Sequence, residues 1–481
     1  MSVDATNLSF ATIEELRSVL DRREISAREL TTHFVDRLER IGPTYNALAA
    51  LTRDRALAEA DAADRRLARG ESGPLLGIPY GAKDLLAARG APTIWGSGAY
   101  RDQVFDYDAA AIDRLRRAGA PLAGKLALME LAGFHGGIHA SVHGPGLNPW
   151  DTSRWACGSS SGSGAAVAAG LVPFALGSET GGSIGSPSAF CGITGLRPTF
   201  GLVSRYGAMP LAWSLDKIGP MGRTATDCAI VLEQIAGYDR RDPDTSRRGF
   251  RRADVDVVRA GRGGRPWRLA MASFDLDEGA DPPLRTALRA AVAQFSELNV
   301  EFVEAELPAD LPYYDLILAV VNGEGTTAFR SLIESDQLDL VTDEGQRTKL
   351  REAAATPAST YVGAMRERRR VRAAFDDVFR GVDAIFTYTL PWEPHPIAEE
   401  FEPVNPTRGF TGMVAASNLA ELPALFLPVG LSDNGLPVGI QLVGPRFSEA
   451  TLVAIGEAFQ EATAFHRLRP PTADRESVSA G

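Results

Sequence analysis

Cysteine is scarce. The 481 residues hold three, Cys157, Cys191 and Cys228. An odd, sparse set with no CxxC pair does not make a disulfide framework and suits a reducing compartment. Long apolar runs are missing too. The longest weakly polar stretch, Gly164 to Gly177, is interrupted by Gly170 and Pro173 and is too short to span a bilayer. The opening residues, MSVDATNLSF, have neither the basic region nor the apolar core of a signal peptide. Positive charge is in deficit, with 50 Lys and Arg against 61 Asp and Glu and a net charge of −11. That balance argues against nucleic acid and anionic membranes as partners, although solubility alone would explain it. Together these absences predict a cytoplasmic protein with no membrane and no nucleic-acid partner.

What is present is core-forming material. The hydrophobic content is 44%, ample for a large buried interior. The N-terminal part, over 10–70, reads as helical. Ser26 and Glu29 make an S-x-x-E capping box, with Ile25 and Leu30 as a hydrophobic staple. Leu30, Phe34, Leu38 and Ile41 recur at helical spacing until Gly42-Pro43 stops them. A charged helix is expected from Arg53 to Leu67. Beyond Gly77, short apolar strands alternate with helices. Strands are expected at Gly77–Leu85, Pro121–Leu128, Val172–Leu176, Arg268–Ala272, Ala384–Tyr388, Ala424–Val429 and Val438–Val443. Helices are expected between them, at Ala109–Arg117, Ala225–Ile235, Pro283–Leu298 and Ala450–Ala462. This pattern predicts an α/β fold, a central mixed β-sheet flanked by α-helices on both faces. Ser432-Asp433-Asn434-Gly435 marks a turn between adjacent strands. The 239–265 segment is rich in Arg, Asp and Gly and lacks an apolar period, so a surface excursion is expected there. One domain is expected over 1–475, with a tail over 476–481.

Two Gly/Ser clusters stand out. Gly158-Ser159-Ser160-Ser161-Gly162-Ser163-Gly164 comes first and Thr180-Gly181-Gly182-Ser183 second. Glycine permits backbone conformations and close approaches that other residues forbid. Small apolar residues lie between the clusters, so they are not solvated linkers. A small-residue helix and a strand between them would bring two serines together. Upstream, Lys83 ends the apolar run Gly77-Ile78-Pro79-Tyr80-Gly81-Ala82. A lysine buried there would have a lowered pKa and could act as a base.

At these residues the chain resembles the amidase signature family. The resemblance rests on G-I-P-x-x-x-K-D at Gly77–Asp84, the Gly/Ser-rich stretch Cys157–Thr199, and the NLAELPALFLPVG and GLPVGIQLVG segments near the C-terminus. It implies the amidase signature fold and hydrolysis of a carboxylic amide, with aryl amides, carbamates and esters also within reach. It assigns Lys83 as the catalytic lysine, Ser159 as the serine preceded by a cis peptide, and Ser183 as the nucleophile, 24 residues after Ser159. A serine hydroxyl needs a base, so Lys83 would take a proton from Ser159 and Ser159 one from Ser183. Backbone N–H groups of Thr180, Gly181, Gly182 and Ser183 would form the oxyanion hole. Substrate contacts are expected from Met129, Phe134, Gly158 and Trp392. No metal and no cofactor are expected, and a homodimer stays open.

The chain departs from the family pattern at three positions. Ser161 stands where Gly is common, Glu179 where Asp is usual, and Gly185 where an Arg often follows the nucleophile by two residues. The last change is expected to open space and remove a charge, which weighs against a carboxylate-bearing substrate. The chain is also similar to the glutaminase component of glutamyl-tRNA amidotransferase, which releases ammonia from glutamine for a partner protein. The missing Arg favours instead a stand-alone hydrolase acting on a small-molecule amide-like substrate.

Other readings of the same residues are weaker. Gly158-Ser159-Ser160-Ser161-Gly162 fits G-x-S-x-G with Ser160 as nucleophile, but the preceding segment is not strand-like and only His395 and His466 follow. GSSSGSG lacks the GK[ST] ending of a P-loop. His135, His139 and His143 are spaced by four, yet FHGGIHASVHGPG is too glycine-rich to be a helix with a metal-binding face. A binding protein on an amidase scaffold conflicts with all three catalytic positions being filled. Cys157 and Cys191 are expected as buried small residues.

Overall fold

The computed structural model describes residues 8–272, 279–305, 311–399 and 410–471. In chain order the strands are β1 (Leu48–Leu51), β2 (Tyr80–Lys83), β3 (Leu122–Leu126), β4 (Leu147–Asn148), β5 (Asp151–Trp155), β6 (Ala175–Glu179) and β7 (Thr194–Arg197). They continue with β8 (Lys217–Gly222), β9 (Trp267–Ala272), β10 (Val300–Ala305), β11 (Ala384–Tyr388), β12 (Ala424–Leu431) and β13 (Pro437–Val443). Eleven of them form one sheet in the order β1-β3-β2-β6-β8-β7-β12-β13-β11-β9-β10, while β4 and β5 pair separately. β2 runs parallel to β3 and β6, and β9 runs parallel to β10 and β11. The other pairings are antiparallel. This is the mixed sheet that the alternation of strands and helices predicts.

Period-2 alternation explains how the sheet fills two cores. Along β12, Leu425 and Leu427 join one buried cluster, while Ala424 and Phe426 join the other. β11 does the same, with Ala384 and Phe386 on one side and Ile385 on the other. A strand covered on both faces reads as a continuous apolar run, which is why these segments are visible in the sequence.

Local signals act as expected in the N-terminal helices. Ser26 accepts from the Glu29 N–H at 3.1 Å, and the Glu29 carboxylate takes the Ser26 N–H at 2.8 Å. The helix they start runs Ala27–Ile41 and buries Leu30, Phe34 and Leu38. The charged helix follows at Arg53–Ala68, with β1 unexpectedly inserted before it. Ser432–Gly435 turns β12 into β13, and the Ser432 N–H donates to the Leu436 carbonyl at 2.7 Å.

Most of the 239–265 segment, where a surface excursion is expected, is exposed or half-buried. It contains a helix, Ala253–Gly261, and buries Phe250 and Val255. Arg252 and Arg259 reach Glu457 on the Glu449–Ala462 helix at 2.9 and 3.2 Å. Its apolar anchors are too widely spaced to form a period, and Arg241, Arg251, Arg252, Arg259 and Arg262 are engaged with acids. The 476–481 tail lies outside the described residues. Among the described residues no helix is long and apolar enough to cross a membrane.

Candidate active site

β2 delivers Lys83 to the interior. All four residues of the strand are buried, and Lys83 is 0% exposed. Its Nζ lies 2.7 Å from Ser159 Oγ, 3.0 Å from Ser178 Oγ and 3.4 Å from the Ser178 carbonyl oxygen. Burial pushes the amine down to about 7, against the pull of the Asp216 and Glu179 charges in the other direction. Asp84, next in sequence, faces elsewhere. It binds Lys125 at 2.8 Å and accepts the Ile94 N–H at 2.9 Å. An ammonium bonded directly to a carboxylate would stay charged; Lys83 has hydroxyls instead.

The first Gly/Ser cluster builds a turn and then the Ser161–Ala168 helix. The Gly158–Ser159 peptide is cis, and the Ser159 carbonyl accepts the Met129 N–H at 3.1 Å. A Cβ on Gly158 would fall 2.3 Å from Met129 Sδ, so glycine lets the Met129 side chain lie against the turn. A Cβ on Gly162 would lie 2.5 Å from the Ala47 carbonyl oxygen, which explains the small residues of this helix. Ser160 is 0% exposed, and its hydroxyl donates to the Ser178 carbonyl at 3.2 Å and accepts the Ser178 N–H at 3.3 Å. Those bonds commit it to backbone support and remove it as a nucleophile. The elbow's other requirement, a histidine at Ser160, is not met by His395, which sits at the Glu399 carbonyl.

The second cluster leaves β6 as a turn. Gly182 has φ +98°, a conformation glycine adopts without cost. Ser183 is half-buried at the surface of this turn. Among the described residues, no protein group accepts the N–H of Gly181, Gly182 or Ser183. Two carboxylates brace the turn. Thr180 donates its hydroxyl to Asp216 at 2.6 Å, and Asp216 also accepts the Leu211 and Ala212 N–H groups. Glu179 accepts the Ile184 and Gly185 N–H groups at 2.9 and 3.1 Å. Its other oxygen meets Arg197 at 2.6 Å and Asn418 at 3.0 Å. Burial pushes the Glu179 carboxyl up, but Arg197 and Lys217 outweigh it and bring it down to about 2. The longer Glu at this position therefore supports the turn fully.

The remaining expected site residues separate. Met129 and Trp392 pack on a small buried cluster of Ile138, Trp155, Cys157, Ala189, Phe190 and Leu390. That cluster forms an apolar wall continuing from the cis turn. Phe134 is different: it is 1% exposed, its ring lies tilted 6.0 Å from that of Phe329, and a Cβ on Gly325 would strike it at 2.7 Å. It is core, which an aromatic in a loop cannot declare from sequence. Gly185 also corrects an expectation. No space is opened there, because a Cβ would sit 2.3 Å from the Phe426 ring. On the outer side, Ile317 and Val414 come up to Gly181 and Gly182.

His135 binds Asn322 at 2.8 Å, and His139 is exposed. The described residues gather no group of three His, Cys, Asp or Glu side chains suited to a metal. All three cysteines are free and buried, with their thiols pushed up by burial, Cys157 to about 12. Sequence reasoning missed Ser178, which lies beside the recognised motifs, because only the sheet register brings it to Lys83.

The family model described as Amidase matches residues 29–453. A glutamyl-tRNA(Gln) amidotransferase component, the A-type polypeptide from Methylococcus capsulatus, is 39% identical, over 95% of this chain and 98% of the relative. The polypeptide of the same name from Chromohalobacter salexigens is 36% identical over 95% and 98%. The native peptide amidase of Stenotrophomonas maltophilia superposes with a TM-score of 0.84 at 31% identity, covering 98% of this chain and 100% of that one. A chain from a vestigial protein complex connected with the origins of an s-triazine catabolic enzyme gives a TM-score of 0.85 at 30% identity, covering 94% and 98%. The full-length likeness to amidotransferase components overturns the expectation of a stand-alone enzyme for a small amide-like substrate without nucleic-acid partners. Family match, fold and sequence identity agree that the chain belongs to the amidase signature family of amidohydrolases.

Proposed function

We propose that this chain is the amide-hydrolysing component of an assembly of the glutamyl-tRNA(Gln) amidotransferase kind, working through an acyl-enzyme on Ser183. The observation that carries the chemistry is the buried Lys83 amine 2.7 Å from Ser159 Oγ, with its basicity brought down to about 7. Neutral Lys83 takes the Ser159 proton as Ser159 takes that of Ser183. Ser183 Oγ then attacks the amide carbon. The carbonyl oxygen becomes an oxyanion beside the N–H groups of the Thr180–Ser183 turn. The C–N bond breaks as the proton returns through Ser159 to the leaving nitrogen, releasing ammonia. Water repeats the sequence to free Ser183 and the acid. Carbamates and esters present the same carbonyl and enter by the same route. Met129, Gly158 and Trp392 flank the acyl group in this reading, and the free, buried thiols suit a cytoplasmic setting.

The assembly reading is supported by relatives of that name matching nearly end to end. Its test is ammonia release from glutamine, and amidation of Glu-tRNA(Gln), by the chain alone and with the remaining amidotransferase components of the same organism. A gain of activity on assembly is expected, with a fluorophosphonate labelling Ser183. Full turnover of unrelated amides by the chain alone, with no gain on assembly, would reject the assembly reading. Absence of labelling at Ser183 would reject the acyl-enzyme.

A further inference from the structure

The Lys83 amine has three polar neighbours, and the acyl-transfer route uses only Ser159. The other two belong to one residue. Ser178 Oγ lies 3.0 Å from Nζ and the Ser178 carbonyl oxygen 3.4 Å away. We propose that Ser178 is a positioning residue for the reaction, taking both N–H bonds of the neutral Lys83 amine so that its lone pair faces Ser159. This rests on Lys83 acting as the base, as proposed above.

The valence of nitrogen supplies the reason. A neutral amine has two N–H bonds and one lone pair, and three partners surround this one. It can act as a base towards Ser159 only if the lone pair, not an N–H, points at that hydroxyl. Lys83 is 0% exposed, so bulk water does not offer a substitute acceptor. If Ser178 did not hold the two N–H bonds, the amine would rotate on its flexible stem and donate to Ser159, which is unproductive. Once the proton has moved, the ammonium keeps its two bonds to Ser178 and donates its third N–H to Ser159. An acceptor bound to an ammonium is worth more than one bound to an amine, so the same residue favours proton uptake.

Ser178 is itself fixed. It lies near the end of β6, which pairs with β8 at Ser178–Ile218. The Ser160 hydroxyl bonds both its N–H and its carbonyl. The nearby acids are otherwise engaged: Asp216 with Thr180, Glu179 with Arg197, and Asp84 with Lys125. None of them can orient the amine in place of Ser178.

The experiment measures Ser183 labelling by a fluorophosphonate, and hydrolysis of an amide substrate, from pH 5 to 10. The enzymes are the wild type, Ser178→Ala, Ser178→Thr and Lys83→Ala. Ser178→Ala is expected to lower the plateau rate about tenfold, the worth of one net hydrogen bond, with KM unchanged. The ionisation controlling the rate should move to lower pH, because the ammonium loses an acceptor. Ser178→Thr keeps the hydroxyl and should restore both. Wild-type rate and ionisation in Ser178→Ala would overturn the proposal. So would a loss equal at every pH that Thr does not rescue, which marks a purely structural role. If Ser178→Ala fails to fold, Ser178→Cys, a weak acceptor, should give an intermediate ionisation, and an unmoved one overturns the proposal. Wild-type activity in Lys83→Ala would reject the base itself, an outcome distinct from a silent Ser178.

Discussion

At the scale of single residues, the site depends on where a charge is not allowed to settle. In the proposed reaction Lys83 serves as a base because β2 buries it and because its polar contacts are hydroxyls and a carbonyl. The carboxylate next to it in sequence is drawn off by Lys125, itself 0% exposed. Acylation should therefore rise through pH of about 7 and level off above it, as the amine loses its proton. Lys83→Ala should abolish that ionisation and slow turnover by roughly 10²–10⁴-fold, the usual worth of a positioned base. Lys83→Arg should not rescue it, since a guanidinium stays protonated. Measuring kcat/KM against pH for the three proteins decides the matter, and a near-normal Lys83→Ala profile would end the mechanism. Lys83, Ser159 and Ser183 stand out in the sequence because a long, unusual motif carries them, and the roles proposed for them rest on that motif. The sequence could not show that Phe134 is core or that Phe426 fills the place beside Gly185. Those are facts about neighbours remote along the chain.

At the scale of elements, Glu179 ties the Thr180–Ser183 turn to β6, the Gly185–Cys191 helix and β7. Glu179 at the end of β6 caps the Ile184 and Gly185 N–H groups and binds Arg197 of β7. Both side chains of that ion pair are 0% exposed. Removing one member leaves the other buried without its counter-charge, which costs about 3–5 kcal/mol. Glu179→Ala should lose stability on that order in urea unfolding and should also slow Ser183 labelling, because the turn loses both N–H bonds. An unchanged midpoint would show that the turn does not need its acid. The pH dependence has a definite sign. The folded carboxyl is lowered from 4.5 to about 2, so its contribution is fully present above pH 4.5 and is lost as the pH falls towards 2. The elements themselves were unevenly legible. The capping box and the β12–β13 turn carry local chemistry that sequence alone reveals. β8, spelled KIGPMG, mixes glycine and proline into a fully buried strand that no period announces.

At the scale of the whole molecule, the −11 net charge hides a core containing buried lysines. Lys83 and Lys217 are both brought down from 10.5 to about 7, burial being the largest cause in each. For Lys217, Arg197 adds to the effect, while Glu179 and Asp216 oppose it. Between about pH 7 and 10.5 the unfolded lysine binds a proton that the folded one does not, so stability rises with pH through that window. The penalty is fully present below about pH 7 and gone above 10.5. Lys217→Met removes this titration. The unfolding free energy of the wild type minus that of Lys217→Met should therefore increase from pH 7 to 9, measured by urea titration. A flat difference would mean that Lys217 keeps its proton in the fold. Mixed acid and base patterning also hid the helix within the 239–265 segment, which two arginines clamp to Glu457.

The sequence by itself determined the fold class and the family, because both are written in local and repeated signals. Doubly covered strands read as apolar runs, helices begin at capping boxes, and the Gly/Ser clusters supply backbone freedom that their chemistry requires. Tertiary structure decided everything that depends on which distant segments meet. The parallel pairing of β2 with β6 puts Lys83 beside Ser178. Packing of the Gly185–Cys191 helix on β12 puts Phe426 against Gly185. The burial that lowers the Lys83 amine exists only once both faces of the sheet are covered, since desolvation is a property of the packed environment rather than of the residue.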